Sequence, residues 1–416
     1  MTVGIVGLGY VGLPLAIEFA QAGTRVVGVD VNQARVADLA GGRSHIDDVP
    51  SDRLRSAADR IKFTSDYGDL AEVEAVLICV PTPLSVNREP ELRPLLAASE
   101  SLAGVLRRGQ LVVLESTTYP RTTRETLVPI LERSGLRAGE DFGVAFSPER
   151  VDPGRSDHTI RNTPKVVGGL TPSCGDRAER LYGTICDQVV RVGSPEIAEL
   201  SKLLENIFRS VNIALVNELA ALTYRMGIDV WEVVDAAATK PFGFMRFDPG
   251  PGMGGHCLPV DPFYLSWKAR EFDFVPEFIE LAGKINQSQP YFCAFRAVEM
   301  LNHAGKATRD ARILLLGVAY KAGVADTRES PGLKLIRLLR ARGADVAYFD
   351  PYVPELPELG LRGESDLGEA LGVADLAVIV TAHPGVDHGR VVREAPMVLD
   401  LRGVTRGESD GRVQRL

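Results

Sequence analysis

A short apolar run, Val3-Gly4-Ile5-Val6, enters Gly7-Leu8-Gly9-Tyr10-Val11-Gly12 and leaves it as the apolar-periodic segment 13–22. Strand, glycine turn and helix in that order restrict the fold more than any other stretch. Gly7 permits the tight turn, Gly9 lets a pyrophosphate approach the backbone, and Gly12 lets helix pack on strand, with the helix N-terminus facing the anion. A second strand, 25–29, ends in Asp30. A carboxylate there accepts hydrogen bonds from both adenosine ribose hydroxyls and repels a 2′-phosphate, so the expected cofactor is NAD, with Arg35 one turn on as the side chain that softens the preference. Gly7, Gly9, Tyr10, Val11, Gly12, Asp30 and Arg35 form this part of the expected cofactor site.

Apolar runs bounded by turn signals recur at 75–80, 111–114, 143–146 and 189–192, separated by helix-like segments. That pattern predicts a doubly wound parallel sheet, whose ligands bind at the carboxyl ends of the strands. Two segments fall at such ends, Cys79-Val80-Pro81-Thr82-Pro83 and Glu115-Ser116-Thr117-Thr118-Tyr119-Pro120. The hydroxyls of Thr82 and Thr117 suit a ribose, phosphate or carboxamide, and equally suit turns that bond their own backbone. Cys79 reads as core. A third segment, Phe146-Ser147-Pro148-Glu149-Arg150-Val151-Asp152-Pro153-Gly154, places Glu149 over the sheet, where a carboxylate can activate water; a solvated loop residue is the plainer reading.

From 196 to 226 there is neither Gly nor Pro, and Leu200, Leu203, Leu204, Ile207, Val211, Ala214, Leu215, Leu219 and Leu222 keep helical spacing. Gly227 ends this helix, and Asp229 with Glu232 forms a capping-box pattern for the next. Lys202, Asn206 and Arg209 share one face, as a solvated polar face would, but Asn206 lowers helix propensity and is an odd choice for solvation alone. So long an apolar stripe implies a homodimer through the central helix.

Next comes Pro249-Gly250-Pro251-Gly252-Met253-Gly254-Gly255-His256-Cys257-Leu258-Pro259-Val260-Asp261-Pro262, which must be a loop because its Gly and Pro content suits neither helix nor strand. Cys257 leaves it beside Asp261 as a presented thiol, against the alternative of a buried, inert cysteine. The chain then repeats strand, loop, helix and strand: 311–317, 318–321, 331–342 and 344–349, the last followed by Asp350, with further strands at 374–380 and 397–400. The glycine fingerprint is absent. In its place the segment 321–331 offers Lys321 and Arg328 as phosphate or ribose ligands, so a second nucleotide, carried by the substrate, is expected there.

The expected fold class is therefore α/β: two Rossmann-like doubly wound parallel-sheet domains joined by a long central helix and a helical dimerisation domain. The expected boundaries are 1–195 for NAD binding, 196–302 for the central helical domain with the Cys loop, and 303–416 for the nucleotide carried by the substrate. A length of 416 residues suits two or three cores, and 45% hydrophobic with 25% charged residues suits a soluble globular protein. The net charge of −8 disfavours nucleic acid as a partner. No export signal or membrane span is visible, and five scattered cysteines fit a reducing cytoplasm. The six histidines make no metal pattern, so no metal is expected.

The segments GLGYVG, CVPTP, ESTTYP, SPERVDPG, ELSKLLENIFR, PGPGMGGHCLPVDPFYL and AYKAGVADTRESP together resemble, along essentially the whole chain, the UDP-glucose/GDP-mannose dehydrogenase family. The resemblance implies oxidation of the C6 hydroxyl of a nucleotide sugar to the carboxylate, with two NAD and one water and without release of the aldehyde. It makes Cys257 the nucleophile, Lys202 and Asn206 the stabilisers of the oxygen that becomes anionic, Glu149 the director of water, Asp261 the proton relay and Thr117 the holder of a water. It also implies substrate contacts from Glu149, Arg150, Val151, Lys202, Asn206, Arg209, Gly254 and Lys321, and cofactor contacts from Thr82, Thr117 and Arg328. Two hydride transfers to one nicotinamide site require the aldehyde to be held covalently, which a thiolate does as a thiohemiacetal and then a thioester. His256 is expected to pack or to make an outer hydrogen bond.

Pro153 stands where UDP-glucose members usually carry a second Glu, and PERxxPG with ESTTYP and GGHC resembles the branch acting on UDP-N-acetylhexosamines, UDP-GlcNAc or UDP-ManNAc. Arg121 occupies a usual Gly position, so the turn near the nicotinamide is expected to differ. The alternatives are UDP-glucose or GDP-mannose as substrate, a one-hydride 2-hydroxyacid or phosphogluconate-type dehydrogenase, and a catalytically silent nucleotide-sugar-binding regulator.

Overall fold

In the computed structural model, which describes residues 1–46, 49–85, 89–151, 157–255, 258–407 and 411–416, the chain divides into two compact units. The first comprises Met1–Glu205 with Trp267–Phe274, the second Asn206–Ser266 with Val275–Leu416.

In the first unit, β1 (Thr2–Val6), β2 (Arg25–Val29), β3 (Ile61–Thr64), β4 (Ala75–Ile78), β5 (Leu111–Leu114), β6 (Gly143–Phe146), β7 (Lys165–Gly169) and β8 (Val189–Val192) form one sheet in the order β3-β2-β1-β4-β5-β6-β7-β8. Its strands run parallel except where β7 meets β6 antiparallel, pairing Ala145 with Gly169 and Phe146 with Gly168. The sheet grows outward in both directions from the β1–β4 junction, so the glycine turn after β1 lies at the topological switch point. Side chains alternate between two cores: Leu77, Val113 and Ala145 pack with Leu13, Ile17 and Phe19, whereas Val76, Ile78, Val112, Leu114, Val144 and Phe146 pack on the other face. Burial on both faces is why these strands read as unbroken apolar runs. The strands at β3 and β7 escape that pattern, because IKFT alternates polar and apolar and KVVGG opens on Lys and closes on two glycines.

The second unit holds β9 (Arg312–Leu316), β10 (Asp345–Phe349), a small antiparallel pair of β11 (Glu355–Leu356) and β12 (Leu361–Arg362), then β13 (Leu376–Ile379), β14 (Val398–Asp400) and β15 (Val413–Arg415). Its main sheet is parallel throughout, in the order β10-β9-β13-β14-β15. Trp231, Cys293, Ala297 and Ile336 from its helices pack on Ile313, Leu315, Val378 and Leu399.

The helix Pro195–Met226 is 32 residues long, and the boundary between the units falls within it, after Glu205. It ends at Gly227, whose φ of 70° is left-handed, and Asp229 caps the next helix, Val230–Ala238, by accepting from the Trp231 and Glu232 N–H groups. Its apolar positions divide: Leu203, Ile207 and Ala214 are buried, whereas Leu200, Leu204, Leu215, Leu219 and Leu222 are exposed. Among the described residues no helix is long and apolar enough to cross a membrane.

The glycine turn tolerates no side chain at its third position. A Cβ at Gly12 would sit 1.9 Å from the Gly7 carbonyl oxygen. Gly12→Ala should therefore cost about 1–3 kcal/mol in urea unfolding, with weakened NAD binding by fluorescence titration; a variant indistinguishable from the parent in both would contradict this packing.

Candidate active site

The turn after β1 is tied to its neighbour by the Gly7 N–H, which donates to the Val29 carbonyl at 2.8 Å, with Gly7 at a φ of 91°. A Cβ at Gly9 would meet nothing within 4 Å, so that side of the turn is open space. The helix Gly12–Gln21 begins there, and Tyr10, exposed, and Val11, half-buried, flank it. Asp30 is buried at the end of β2; its Oδ2 accepts from Leu8 N–H and from Arg35 Nη1, each at 3.0 Å, and its Oδ1 accepts from Asn32 N–H at 2.9 Å. Arg35, the side chain expected to soften the cofactor preference, is thus in direct contact with Asp30. Open glycine backbone, a helix N-terminus and a terminal carboxylate fit a dinucleotide.

Two loops beside it are laced together. The Thr82 hydroxyl donates to the Thr117 carbonyl at 2.7 Å, and the Ser116 hydroxyl donates to the Val80 carbonyl at 2.7 Å. Thr82 therefore bonds the backbone of the other loop, 35 residues on, rather than its own turn. Thr117 is half-buried. A few residues further, Arg121 takes a φ of 79°, the left-handed backbone that a Gly would take, at a cost of about 1–2 kcal/mol for a side-chain-bearing residue. Its N–H donates to Glu199 Oε2 at 2.6 Å, its guanidinium pairs with Glu125 at 3.1 Å and lies over the Phe272 ring at 4.9 Å. Glu199 Oε1 accepts from both the N–H and the hydroxyl of Thr123, at 2.8 and 2.7 Å. Glu199 is 1% exposed, and burial pushes its carboxyl up to about 7.

Glu149 follows β6. Its Oε1 accepts from the N–H groups of Arg150 and Val151 at 2.7 and 2.6 Å, and its Oε2 faces Lys165 Nζ at 3.8 Å. Arg150 is turned to other partners, donating to the Pro164 carbonyl at 2.6 Å and pairing with Glu205 at 2.7 Å. Lys202, on the long helix, is buried.

In the second unit Asn206 and Asp261, both buried, are brought together: Asn206 Nδ2 donates to Asp261 Oδ2 at 2.5 Å. Asp261 opens the helix Asp261–Ala269. Asn217 steadies the loop before it, accepting from Gly250 N–H at 2.9 Å and donating to Asn286 at 3.1 Å. A Cβ at Gly254 would lie 2.8 Å from Tyr320 Cβ and 2.9 Å from the Glu329 carbonyl, and Gly255 donates to the Arg328 carbonyl at 3.0 Å. These glycines therefore let the loop close onto the 320–331 segment of its own unit. His256 and Cys257, like 152–156 with Pro153, lie outside the described residues. Arg209 is exposed, Lys321 half-buried, and the Arg328 guanidinium is paired with Asp326 at 2.6 Å.

Asp350 repeats the placement of Asp30 but not its set of partners. Its two oxygens accept from the N–H groups of Val318, Ala319, Tyr352 and Val353, and from His383 Nε2 at 3.0 Å. Because Gly323 N–H donates to His383 Nδ1 at 3.1 Å, the ring proton resides on Nε2. Burial pushes the Asp350 carboxyl up, but the bonds from His383 and the backbone outweigh it and hold the group below the usual range. Sequence reasoning did not single out Glu199, Lys165 or His383; a charged residue opening the apolar run KVVGG was the available signal for Lys165.

Three domain profiles of the UDP-glucose/GDP-mannose dehydrogenase family match the chain: the NAD binding domain over residues 1–186, the central domain over 196–288 and the UDP binding domain over 314–407. A UDP-N-acetyl-D-glucosamine 6-dehydrogenase of Pseudomonas aeruginosa is 38% identical over 411 residues, 97% of this chain and 96% of that protein. A UDP-N-acetyl-D-mannosamine dehydrogenase of Pyrococcus horikoshii is 37% identical, over 98% of this chain and the whole of that protein. A solved structure of UDP-D-ManNAc dehydrogenase from Pyrococcus horikoshii superposes with a TM-score of 0.91 at 36% identity, covering 100% of this chain and 99% of that one.

The Glu199 contacts carry a pH dependence. Its folded pKa of about 7 lies above the ordinary carboxylate value of 4.5, so its contribution to stability is fully present below about 4.5 and is lost as pH rises through 7. Around it stand Glu196, paired with Arg124, and Lys202 on its own helix, and the Arg121–Glu125 pair on the loop. Glu199→Gln should remove a stability change on the order of 3 kcal/mol between pH 5 and pH 8, read by denaturant titration at both values. An unchanged pH dependence in the variant would contradict the burial of the charge.

Proposed function

The chain belongs to the UDP-glucose/GDP-mannose dehydrogenase family and is an NAD-dependent nucleotide-sugar dehydrogenase, and from that premise we propose that it oxidises the C6 hydroxyl of a UDP-N-acetylhexosamine to the carboxylate. The similarity to relatives named for UDP-N-acetylglucosamine and UDP-N-acetylmannosamine supports this sugar class, and their near-equal identities do not separate the two. Residues 1–195 hold NAD through Gly7, Gly9, Gly12 and Asp30, 196–302 carry the nucleophile and its oxygen-stabilising partners, and 303–416 receive the UDP through Lys321.

The observation that supports the mechanism most is the buried Asn206–Asp261 pair, whose carboxylate follows Cys257 by four residues in the chain. A buried carboxylate that accepts from an amide is held in place as a proton acceptor. NAD, when bound, supplies the hydride acceptor for each oxidation. Asp261 takes the C6 hydroxyl proton, by way of a water held at Thr117, as the C6 hydride leaves. The Cys257 thiolate bonds to the aldehyde carbon, and Lys202 and Asn206 hold the oxygen as it turns anionic. A second hydride loss from the thiohemiacetal leaves the thioester. Glu149 takes a proton from water as its oxygen bonds to the acyl carbon; the carbon–sulfur bond breaks and sulfur departs as thiolate. Each carboxylate thus consumes one water and two NAD and yields two NADH and three protons.

The exposed leucines of the long helix, with Ile197, Phe208 and Met226 in the same stripe, support a homodimer built on that helix. The buried free thiols of Cys79, Cys174, Cys186 and Cys293 support a cytoplasmic setting.

A panel of UDP- and GDP-sugars with NAD or NADP, followed at the nicotinamide absorbance, should give two NADH per UDP-N-acetylhexosamine, with NAD preferred. One NADH per sugar would sink the two-step reading. Cys257→Ser should produce no net acid, and continued full turnover would rule out the covalent route. In sedimentation, Leu204→Glu with Leu219→Glu should convert a dimer to a monomer; a parent that is already monomeric would refute the helix interface.

A further inference from the structure

The turn that carries Glu149 rests on charged side chains that none of these steps uses. Lys165 opens β7 with its side chain 5% exposed, and the side chain of Glu115, which directly follows β5, is 0% exposed. Lys165 Nζ lies 2.8 Å from Glu115 Oε2, 3.1 Å from the Pro148 carbonyl oxygen and 3.8 Å from Glu149 Oε2. Tyr182 donates its hydroxyl proton to the other oxygen of Glu115. Burial works against the Lys165 charge, but the carboxylates of Glu115 and Glu149 outweigh it and hold its ammonium above the usual range.

An ion pair this deep is a weak source of stability, since desolvation offsets most of the attraction and apolar residues of similar volume serve as well. Its geometry suits a different task. The Lys165 ammonium gives hydrogen bonds to its buried anchor, Glu115, and to the Pro148 carbonyl, and the carboxylate of the next residue in that turn, Glu149, stands at ion-pair distance. Glu149 Oε1 is already pinned by two backbone N–H groups, so Lys165 acts on the remaining oxygen, the one left to accept a proton from water.

We propose that Lys165 is a positioning residue for thioester hydrolysis: anchored by Glu115 and Tyr182, it fixes the Pro148–Glu149 turn and aims Glu149 Oε2 at the attacking water. The proposal rests on the reading of Glu149 as the proton acceptor in that step. Water adds its oxygen to the acyl carbon, its proton passes to Glu149, and the carbon–sulfur electron pair leaves with sulfur. Lys165 touches none of the reacting atoms. Its loss should spare both hydride transfers and slow only the release of the acyl group.

The test is rapid mixing of full-length enzyme with NAD and UDP-N-acetylglucosamine or UDP-N-acetylmannosamine, whichever turns over, with NADH followed optically and the protein quenched for intact mass. Lys165→Met is made together with Glu115→Gln so that no charge is left buried alone. This double variant should keep a burst of two NADH per active site, then accumulate protein heavier by one acyl-bound nucleotide sugar, with steady turnover lowered about 10²-fold. Lys165→Arg, which retains the charge, should restore turnover to within about tenfold and abolish the adduct. Full turnover of the double variant without adduct, loss of the burst itself, or failure of Lys165→Arg to rescue would each overturn the proposal. Glu149→Gln is run alongside: if it also fails to accumulate adduct, the assignment of Glu149 falls; if it accumulates adduct and the double variant does not, only the role of Lys165 falls.

Discussion

Loops that leave the carboxyl ends of a buried sheet carry backbone N–H groups that no neighbouring strand can accept, and each must find a partner. In this protein buried and half-buried carboxylates collect them. Asp30 takes Leu8 and Asn32, Glu199 takes Arg121 and Thr123, Glu149 takes Arg150 and Val151, Asp350 takes four N–H groups, and Asp400 takes Arg402 and Thr405. The loops so fixed are those in which a doubly wound fold places its ligands. The geometry of these loops therefore depends on acids whose first duty is structural.

How completely each acid is occupied separates the two kinds of role. Asp350 has five donors on two oxygens, His383 included, and is committed to holding the 318–323 and 350–353 turns. Asp30 has three donors, one of them a side chain, that of Arg35. Glu149 spends one oxygen on the backbone and keeps the other toward Lys165. The same residue type at equivalent sheet positions thus serves as scaffold in one unit and as ligand or base candidate in the other.

Much of this was legible beforehand. The turn at Gly7–Gly12, the long helix and its end at Gly227, and most strands follow from apolar runs and glycine positions, because burial on both faces of a sheet writes itself into composition. The pairing of Asn206 with Asp261, 55 residues apart, is a tertiary fact that no local pattern contains. Lys165 and Glu115, 50 residues apart, are likewise joined by the order of strands β5, β6 and β7, and the antiparallel turn of β7 is invisible in KVVGG. Asp350 ends its strand as Asp30 does, and nothing in the sequence shows that four backbone N–H groups and His383 fill its two oxygens. Arg121 at a usual Gly position keeps the left-handed backbone because Glu199, Glu125 and Phe272 hold it there.

The central claim is that the aldehyde stays on the enzyme between the two oxidations. Turnover in water enriched in oxygen-18 tests it most directly, with the C6 carboxylate of the product read by mass spectrometry. An aldehyde bound to sulfur throughout keeps its original oxygen, so the account requires one heavy oxygen per carboxylate. A released aldehyde hydrates reversibly and exchanges that oxygen, and a carboxylate carrying two heavy oxygens would contradict it.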